Sequence, residues 1–382
     1  MKRLLTTVMC LFLVMTLLEG CGARQNNDTE AGMKIAIVSS PSGVDDGSFN
    51  ENIYNGILSF IADNPEVSVT PIREESGDVT AAVQAVADIV ADYDVIVCCG
   101  YQFAGIGALA QENPGVKFIL VDSNPSDASG KEIKNGVENI YAMTFREEEA
   151  GFLAGLAAAL ETKTGKVAVV NGIAFPSNVN YQQGFETGVN YANQQYGAKA
   201  ELIELASYAG TDSKGNNVGG NYIGNFSDEA TGKVVGKALI DKGVDVIFVA
   251  AGASGNGVLT AAKEAKNVFC IGSDVDQYDS GANGSENVML TSALKVMDMN
   301  VEKQLNASGE TVETVVQYAS TSGLIPSPWI HTPLGVKYFD TVNLIAEPSF
   351  SSNILCTIPL PKVVVPTNSA LPVSFIAPAN IS

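Results

Sequence analysis

The chain is 382 residues long and 46% apolar, with 22 Lys plus Arg against 42 Asp plus Glu and a formal charge of −20. The apolar fraction excludes wholesale disorder, and the length suits two domains of ordinary size. The acidity repels polyphosphate backbones and argues against a nucleic-acid partner, while a single His argues against His-based catalysis or a multi-His metal site.

In chain order the first elements are targeting signals. Lys2 and Arg3 precede an apolar run from Leu4 to Leu18, a secretory n-region and h-region too short for a membrane span. The run ends Leu18-Glu19-Gly20-Cys21. A small residue before a Cys at this place resembles the lipobox of bacterial lipoproteins, in which the Cys is acylated and becomes the new N-terminus. Residues 1–20 are therefore expected to be a lipoprotein signal peptide, Cys21 the lipidation site and 21–32 a flexible polar tether. The plainer alternative is an ordinary signal peptide with an incidental Cys.

From Lys34 onward, short Val- and Ile-rich runs alternate with helical patterns. Strands are predicted at Lys34–Val38, Val67–Pro71, Val95–Cys99, Lys117–Val121, Gly165–Val170, Lys199–Leu205, Val244–Ala250 and Val268–Ile271. Helices are predicted at Asn50–Asn64, Thr80–Ala91, Phe103–Asn113, Glu147–Leu160, Tyr181–Tyr196, Ser227–Lys242 and Gly257–Lys266. Buried runs alternating with amphipathic helices predict an α/β fold of two parallel sheets, covered on both faces, with the passage between them near Tyr141–Arg146. Within Ala150–Leu160, Gly151 and Gly155 form GxxxG. Three acids precede this short run, so close helix–sheet packing is expected and a membrane helix is not. Cys98, Cys99 and Cys270 end apolar strands and read as small buried hydrophobes.

The character changes after about Ser320. Residues 321–382 hold nine of the 15 prolines but only four charged residues, along with the sole Trp and the sole His. Such a segment is incompatible with closing a parallel sheet, and it reads as an atypical Pro-rich tail, either non-native or frameshifted relative to the body or a genuine divergent tail.

Ligands of open parallel sheets bind at the carboxyl ends of the strands. After the first strand comes Ser39 to Asn50, where Asp45, Asp46 or Ser48 could cap the next helix and Phe49 is an unexpected aromatic in a polar loop. Asp122 ends the fourth strand. Gly252 to Gly257 opens a helix and would let the backbone approach a ligand, although it lacks a Walker lysine or GxGxxG. Gly272 to Gln277 carries carboxylates at Asp274 and Asp276.

Asp46-Gly-Ser-Phe-Asn50, Phe118–Asp122, Ala150–Gly155, Gly184-Phe185, Asn225-Phe-Ser-Asp228, the Gly252 loop, Gly272–Gln277 and Leu290-Thr-Ser-Ala-Leu-Lys295 occur in an order that closely resembles the basic membrane protein (PnrA-like) family. These are lipoproteins that deliver purine nucleosides to ABC transporters. The resemblance covers residues 33 to about 318. It implies a type I periplasmic-binding-protein fold, two Rossmann-like lobes joined by three crossovers. The N-terminal lobe would span 33–143 plus 275–298 and the C-terminal lobe 144–274 plus 299–320, with 321–382 as the tail.

The resemblance also implies the site. Phe49, flanked by Ser48 and Asn50, would stack one face of a base and Phe226 the other, with Phe175 and Tyr222 as competing candidates for the second aromatic. Asp122 would read the base edge, Asp274 would hold ribose hydroxyls, Lys295 would reach the sugar and Gly252 would border the ligand. The implied ligand is a purine nucleoside of the guanosine, inosine or adenosine class. The implied partners are an ABC permease and ATPase, and the chain would be a monomer anchored by lipid at the extracytoplasmic face of the cell membrane. No cofactor, metal or catalytic residue is expected. Two alternatives compete: a binder of sugars or other small polar ligands on the same fold, and a Rossmann-like enzyme.

Overall fold

The computed structural model describes residues 32–133, 136–307, 329–332 and 335–338. The signal segment, Cys21 and most of the Pro-rich tail lie outside the described residues. Among the described residues no helix is long and apolar enough to cross a membrane.

The first lobe contains strands β1 (Lys34–Ser39), β2 (Ser68–Arg73), β3 (Val95–Cys99), β4 (Lys117–Val121) and β5 (Ile140–Met143), with helices α1 (Phe49–Asp63), α2 (Val79–Ala87) and α3 (Gly107–Glu112). The second contains α4 (Glu147–Glu161), β6 (Lys166–Asn171), α5 (Pro176–Tyr196), β7 (Glu201–Leu202), the hairpin β8 (Gly210–Thr211) and β9 (Asn217–Gly219), α6 (Glu229–Asp241), β10 (Val246–Ala250), α7 (Ser254–Glu264) and β11 (Phe269–Asp274). It continues with the hairpin β12 (Ala282–Asn283) and β13 (Glu286–Asn287) and with β14 (Met289–Leu294). Helix α8 (Met297–Ala307) and a separate antiparallel pair, β15 (Trp329–Thr332) and β16 (Gly335–Tyr338), complete the elements.

Both main sheets are parallel throughout. Their strand orders are β2-β1-β3-β4-β5 and β7-β6-β10-β11-β14. Renumbered within each lobe, both read 2-1-3-4-5, so the chain builds one doubly wound topology twice. Each sheet buries Val, Ile, Leu and Ala on both faces. Ile35, Ala36, Ile37 and Val38 have no exposure, and separate apolar clusters line the two faces of each sheet. Cys98, Cys99 and Cys270 belong to these clusters with free thiols.

Several boundaries differ from the sequence expectation for identifiable reasons. Helix α5 begins five residues earlier than its apolar periodicity, because Pro176 occupies the first helical position, where its missing N–H costs nothing. The expected helix Phe103–Asn113 is a 3₁₀ helix, Tyr101–Ile106, followed by the short α3. The expected strand Lys199–Leu205 shrinks to β7. There the buried side chain of Asn221 accepts from Leu205 N and donates to Ile203 O and Val169 O, standing in for ladder bonds.

The partition between lobes also differs. Strand β14 pairs with β11 in the second sheet, whereas Met297, Val301 and Leu305 of α8 are buried in the first lobe's core against α1. Residues 275–294 thus go with the second lobe and 297–307 with the first. Among the described residues the chain passes between lobes at 144–146 and at 295–296; the third crossover that the resemblance implies lies outside the described residues.

The GxxxG motif packs helix on helix, where helix–sheet contact was expected. A Cβ at Gly151 or Gly155 would collide with the carbonyls of Tyr181 or Phe185, and one at Gly184 or Gly188 with those of Glu148 or Phe152. Two GxxxG faces therefore interlock backbone to backbone between α4 and α5. Gly155→Ala should destabilise the protein by about 1–3 kcal/mol through overpacking, whereas Gly115→Ala, with nothing within 4 Å, should be nearly neutral. Denaturant unfolding of the two variants checks this, and equal midpoints would contradict it.

Candidate functional site

A cleft enclosing about 560 Å³ of empty space, open solvent at its mouth included, lies between the lobes. Its walls come mostly from residues at or just after the ends of β1, β3, β4, β6, β10, β11 and β14, the carboxyl ends at which a doubly wound sheet offers its loops, with Phe226 added from the segment before α6. Phe49, Asn50, Asp122, Phe226, Gly252, Asp274 and Lys295 all line it. Ser48 stands behind them, its Oγ donating to Asp274 Oδ2 at 3.2 Å.

The loop after β1 is organised by Asp46. Its buried carboxylate accepts from the backbone N–H groups of Ser48, Asn50 and Glu51 and from Asn50 Nδ2. Asp46 therefore satisfies the start of α1, whose Ser48 makes no side-chain cap. Asn50 in turn donates to Ser40 Oγ, and together these bonds set Phe49 at the cleft wall.

Asp122 and Asp274 occupy equivalent places, each at the end of the fourth strand of its own lobe. Both adopt left-handed backbone, with φ of 62° and 69°. Asp tolerates that region better than bulkier residues, but it is sparsely populated, and such strain clusters at functional sites. Burial pushes the Asp274 carboxyl up to about 6, against the lowering influence of Lys295.

Lys295 is the one buried Lys or Arg among the described residues, with 3% exposure. Its Nζ donates to Asp122 Oδ1 at 2.9 Å and Oδ2 at 2.7 Å, and lies 3.0 Å from Glu147 Oε1. Burial alone would lower its pKa, but the charges of Asp122 and Glu147 hold it well above the ordinary lysine value. The ammonium is thus held among three carboxylate oxygens while it still borders the cleft. The ammonium also sits 5.6 Å from the Phe49 ring centroid and 5.3 Å from those of Phe145 and Tyr181.

Three aromatic rings cross the cleft. Tyr101 of the first lobe lies 5.0 Å from Phe175 of the second, and Phe175 lies 6.0 Å from Phe226. Phe226 is seated on Gly172, where any Cβ would clash with its ring. Its backbone carbonyl accepts from Ser42 Oγ of the opposite lobe at 3.1 Å and from Ser254 N at 2.9 Å. Gly252, at φ 53°, makes room for this Phe226 segment as well as bordering the cleft. Tyr222, the competing aromatic, packs over Gly210 and donates to Gln182 Oε1 away from the cleft. Phe175 does line it.

Tyr101, Gln102, Asn178 and Tyr181 also line the cleft without having been singled out from the sequence. Tyr101 and Gln102 follow a strand end, where a reading by helical period began the helix two residues late. Asp276 stays outside, accepting from Tyr278 N.

Residues 33–204 and 206–314 match the family described as ABC transporter substrate-binding protein PnrA-like. The chain is 29% identical over 319 residues to the ABC transporter nucleoside-binding protein BmpA of Lactococcus lactis subsp. cremoris, covering 77% of this chain and 81% of that protein. It is 29% identical over 283 residues to the CD4+ T-cell-stimulating antigen of Listeria monocytogenes, covering 70% and 71%. Among solved structures, a solute-binding protein of an ABC transporter system from Aeropyrum pernix K1 matches with a TM-score of 0.59 at 24% identity, over 72% of this chain and 70% of that one. That likeness agrees with a fold of the periplasmic-binding-protein type.

The raised pKa of Asp274 gives a stability test. A carboxyl at about 6 in the folded chain against 3.8 ordinarily makes the native state bind more protons between those values, so its ionisation destabilises the fold fully above about pH 6. Asp274→Asn should therefore be more stable than the parent by about 1–3 kcal/mol at pH 8, with the gap closing as pH falls from 6 toward 4. Urea titrations at pH 4, 6 and 8 measure it, and a gap that does not change with pH would refute the assignment.

Proposed function

Because the chain belongs to the PnrA-like family of ABC transporter substrate-binding proteins, we propose that its cleft captures a purine nucleoside, of the guanosine, inosine or adenosine class, for delivery to a permease and ATPase. The observation that carries this reading is the pairing of stacking surface with two buried carboxylates in one cleft. Phe49 and Phe226 offer ring faces from opposite lobes, Asp122 offers oxygens to base N–H donors, and Asp274 accepts from adjacent ribose hydroxyls.

Electrostatics narrows the class further. Asp122, Asp274 and Glu147 surround a single ammonium, so the cleft floor is negative when all are ionised. In a low-dielectric site this repels a phosphate ester and accepts a neutral solute with hydrogen-bond donors. A nucleoside fits that description and a nucleotide does not.

Substrate-binding proteins of this family act outside the cytoplasm, and acylation at Cys21 would hold the chain at the membrane surface. Under this reading a Cys21→Ala variant should be released to the soluble extracytoplasmic fraction while the parent stays with membranes. Equal partitioning would remove the anchor.

The ligand assignment is tested by calorimetry with guanosine, deoxyguanosine, guanosine monophosphate, ribose and galactose. Guanosine should bind, and the phosphate ester and free sugars should bind far more weakly. Phe49→Ala should weaken ribo- and deoxynucleosides alike by about 1–3 kcal/mol. Asp274→Ala should instead erase most discrimination between guanosine and deoxyguanosine, because that preference depends on the buried hydroxyl contacts. Tight ribose binding without nucleoside binding would transfer the site to a sugar.

A further inference from the structure

Glu147 is buried at the cleft floor, 4% exposed, yet it is not among the residues that line the cleft, so it can act on a ligand only through a neighbour. It opens α4, immediately after the first passage between the lobes. Its neighbours come from every element around it. Lys295 reaches it from the second passage, at 3.0 Å, and Asp122 stands beyond that ammonium at the end of β4. From α5, Asn180 Nδ2 donates to Glu147 Oε2 at 3.3 Å, and Tyr181 contributes its ring to the same ammonium. On its own helix Arg146 pairs with Glu149, and Glu148 is the remaining acid. Asp274 of β11 also acts on the same lysine.

Lys295 has three hydrogens to give; two go to the oxygens of Asp122, and Glu147 Oε1 is ion-paired with the same nitrogen at 3.0 Å. We infer that Glu147 is a positioning residue for ligand binding: by pairing with the Lys295 ammonium it divides that charge between two carboxylates and leaves Asp122 able to accept hydrogen bonds from the ligand. Without that competitor the ammonium's charge falls on Asp122 alone, and Asp122 becomes a poorer acceptor for an incoming N–H. The inference rests on the proposed reading of Asp122 as an acceptor from the bound ligand, whether from a base N–H or a sugar O–H.

A pH signature follows. Burial pushes the Glu147 carboxyl up to about 7, against the lowering influence of Lys295. Its ionised form, dominant above that value, is the one that competes for the ammonium. Affinity for a ligand rich in N–H donors should therefore fall as pH drops through 7.

Calorimetry with guanosine at pH 8, 7 and 6 on the parent, Glu147→Gln and Glu147→Ala tests this. The parent should lose roughly five- to tenfold in affinity from pH 8 to 6, within the ordinary range of coupling between two sites. Glu147→Gln keeps an oxygen for Lys295 but never ionises. It should bind at pH 8 roughly five- to tenfold more weakly than the parent and lack the step near 7. Glu147→Ala, which leaves a buried hydrogen unsatisfied, should bind more weakly than the Gln variant at each pH. Titration of Asp274 near 6 occurs in parent and Gln variant alike and drops out of their comparison. An unaltered pH profile in Glu147→Gln, or parent-like affinity in that variant at pH 8, overturns the inference. A parent that binds no nucleoside defeats the nucleoside reading alone, and the same comparison is then made with ribose or galactose, whichever the parent binds. Should Glu147→Ala fail to fold, the Gln variant decides by itself.

Discussion

The ion cluster of Lys295, Asp122 and Glu147 is the constraint on which the rest of the site depends. Lys295 lies where the chain leaves the second sheet for the first lobe, Glu147 where it has just left the first lobe for the second, and Asp122 at the end of a first-lobe strand. Both described passages between lobes are thus tied to one ammonium. A buried charge is tolerated only when it is paired and hydrogen-bonded, and removing one partner of such a cluster costs several kcal/mol. Fixing it fixes where the two sheets' carboxyl ends face each other.

The twofold use of one topology explains why the site is two-sided. Each lobe supplies an aromatic after its first strand, Phe49 and Phe175, and an Asp in left-handed backbone after its fourth. Lys295 and Phe145 then follow the fifth strands, close enough for the ammonium to lie 5.3 Å from the ring. A cleft built this way has similar chemistry on both walls, apolar faces beside carboxylates. That suits a flat solute carrying donors at its edges. Among the described residues that line the cleft, Lys295 is the one cation, and it is paired with Asp122 and Glu147.

How much of this was legible follows from what each element reveals in sequence. The Val- and Ile-rich strands and most helices are visible because burial on both sheet faces leaves uninterrupted apolar runs. Strand β5, four residues with a buried residue only at each end, leaves no such run, and β14 carries Thr291 and Ser292. Helix α8 buries only Met297, Val301 and Leu305, too sparse a stripe to stand out. Missing β14 and α8 is also what misplaced the lobe boundary. Phe49, Asp122 and Asp274 were legible as unusual residues at strand ends, and the family resemblance gave them roles. Glu147 was not, because an acid in the first turn of a helix has a sufficient local reason to be there. Nothing in its local pattern announces a lysine 148 residues further on.

The contacts between lobes at the cleft are few and of modest strength. Ser42 Oγ donates to Phe226 O, Ser48 Oγ donates to Asp274, and the Tyr101 and Phe175 rings meet at 5.0 Å. A hydrogen bond of this kind is worth about 0.5–1.5 kcal/mol net, and an aromatic pair about as much. Each lobe, by contrast, encloses its sheet between two apolar clusters and has no need of the other for its core. The lobes are therefore stiff bodies joined by weak facing contacts and by a strong cluster beside the passages. In such an arrangement a solute biases the relative position of the lobes only through contacts it makes with both at once. Phe49 with Phe226, and Asp122 with Asp274, are pairs placed to make such contacts, since each has one member on either lobe.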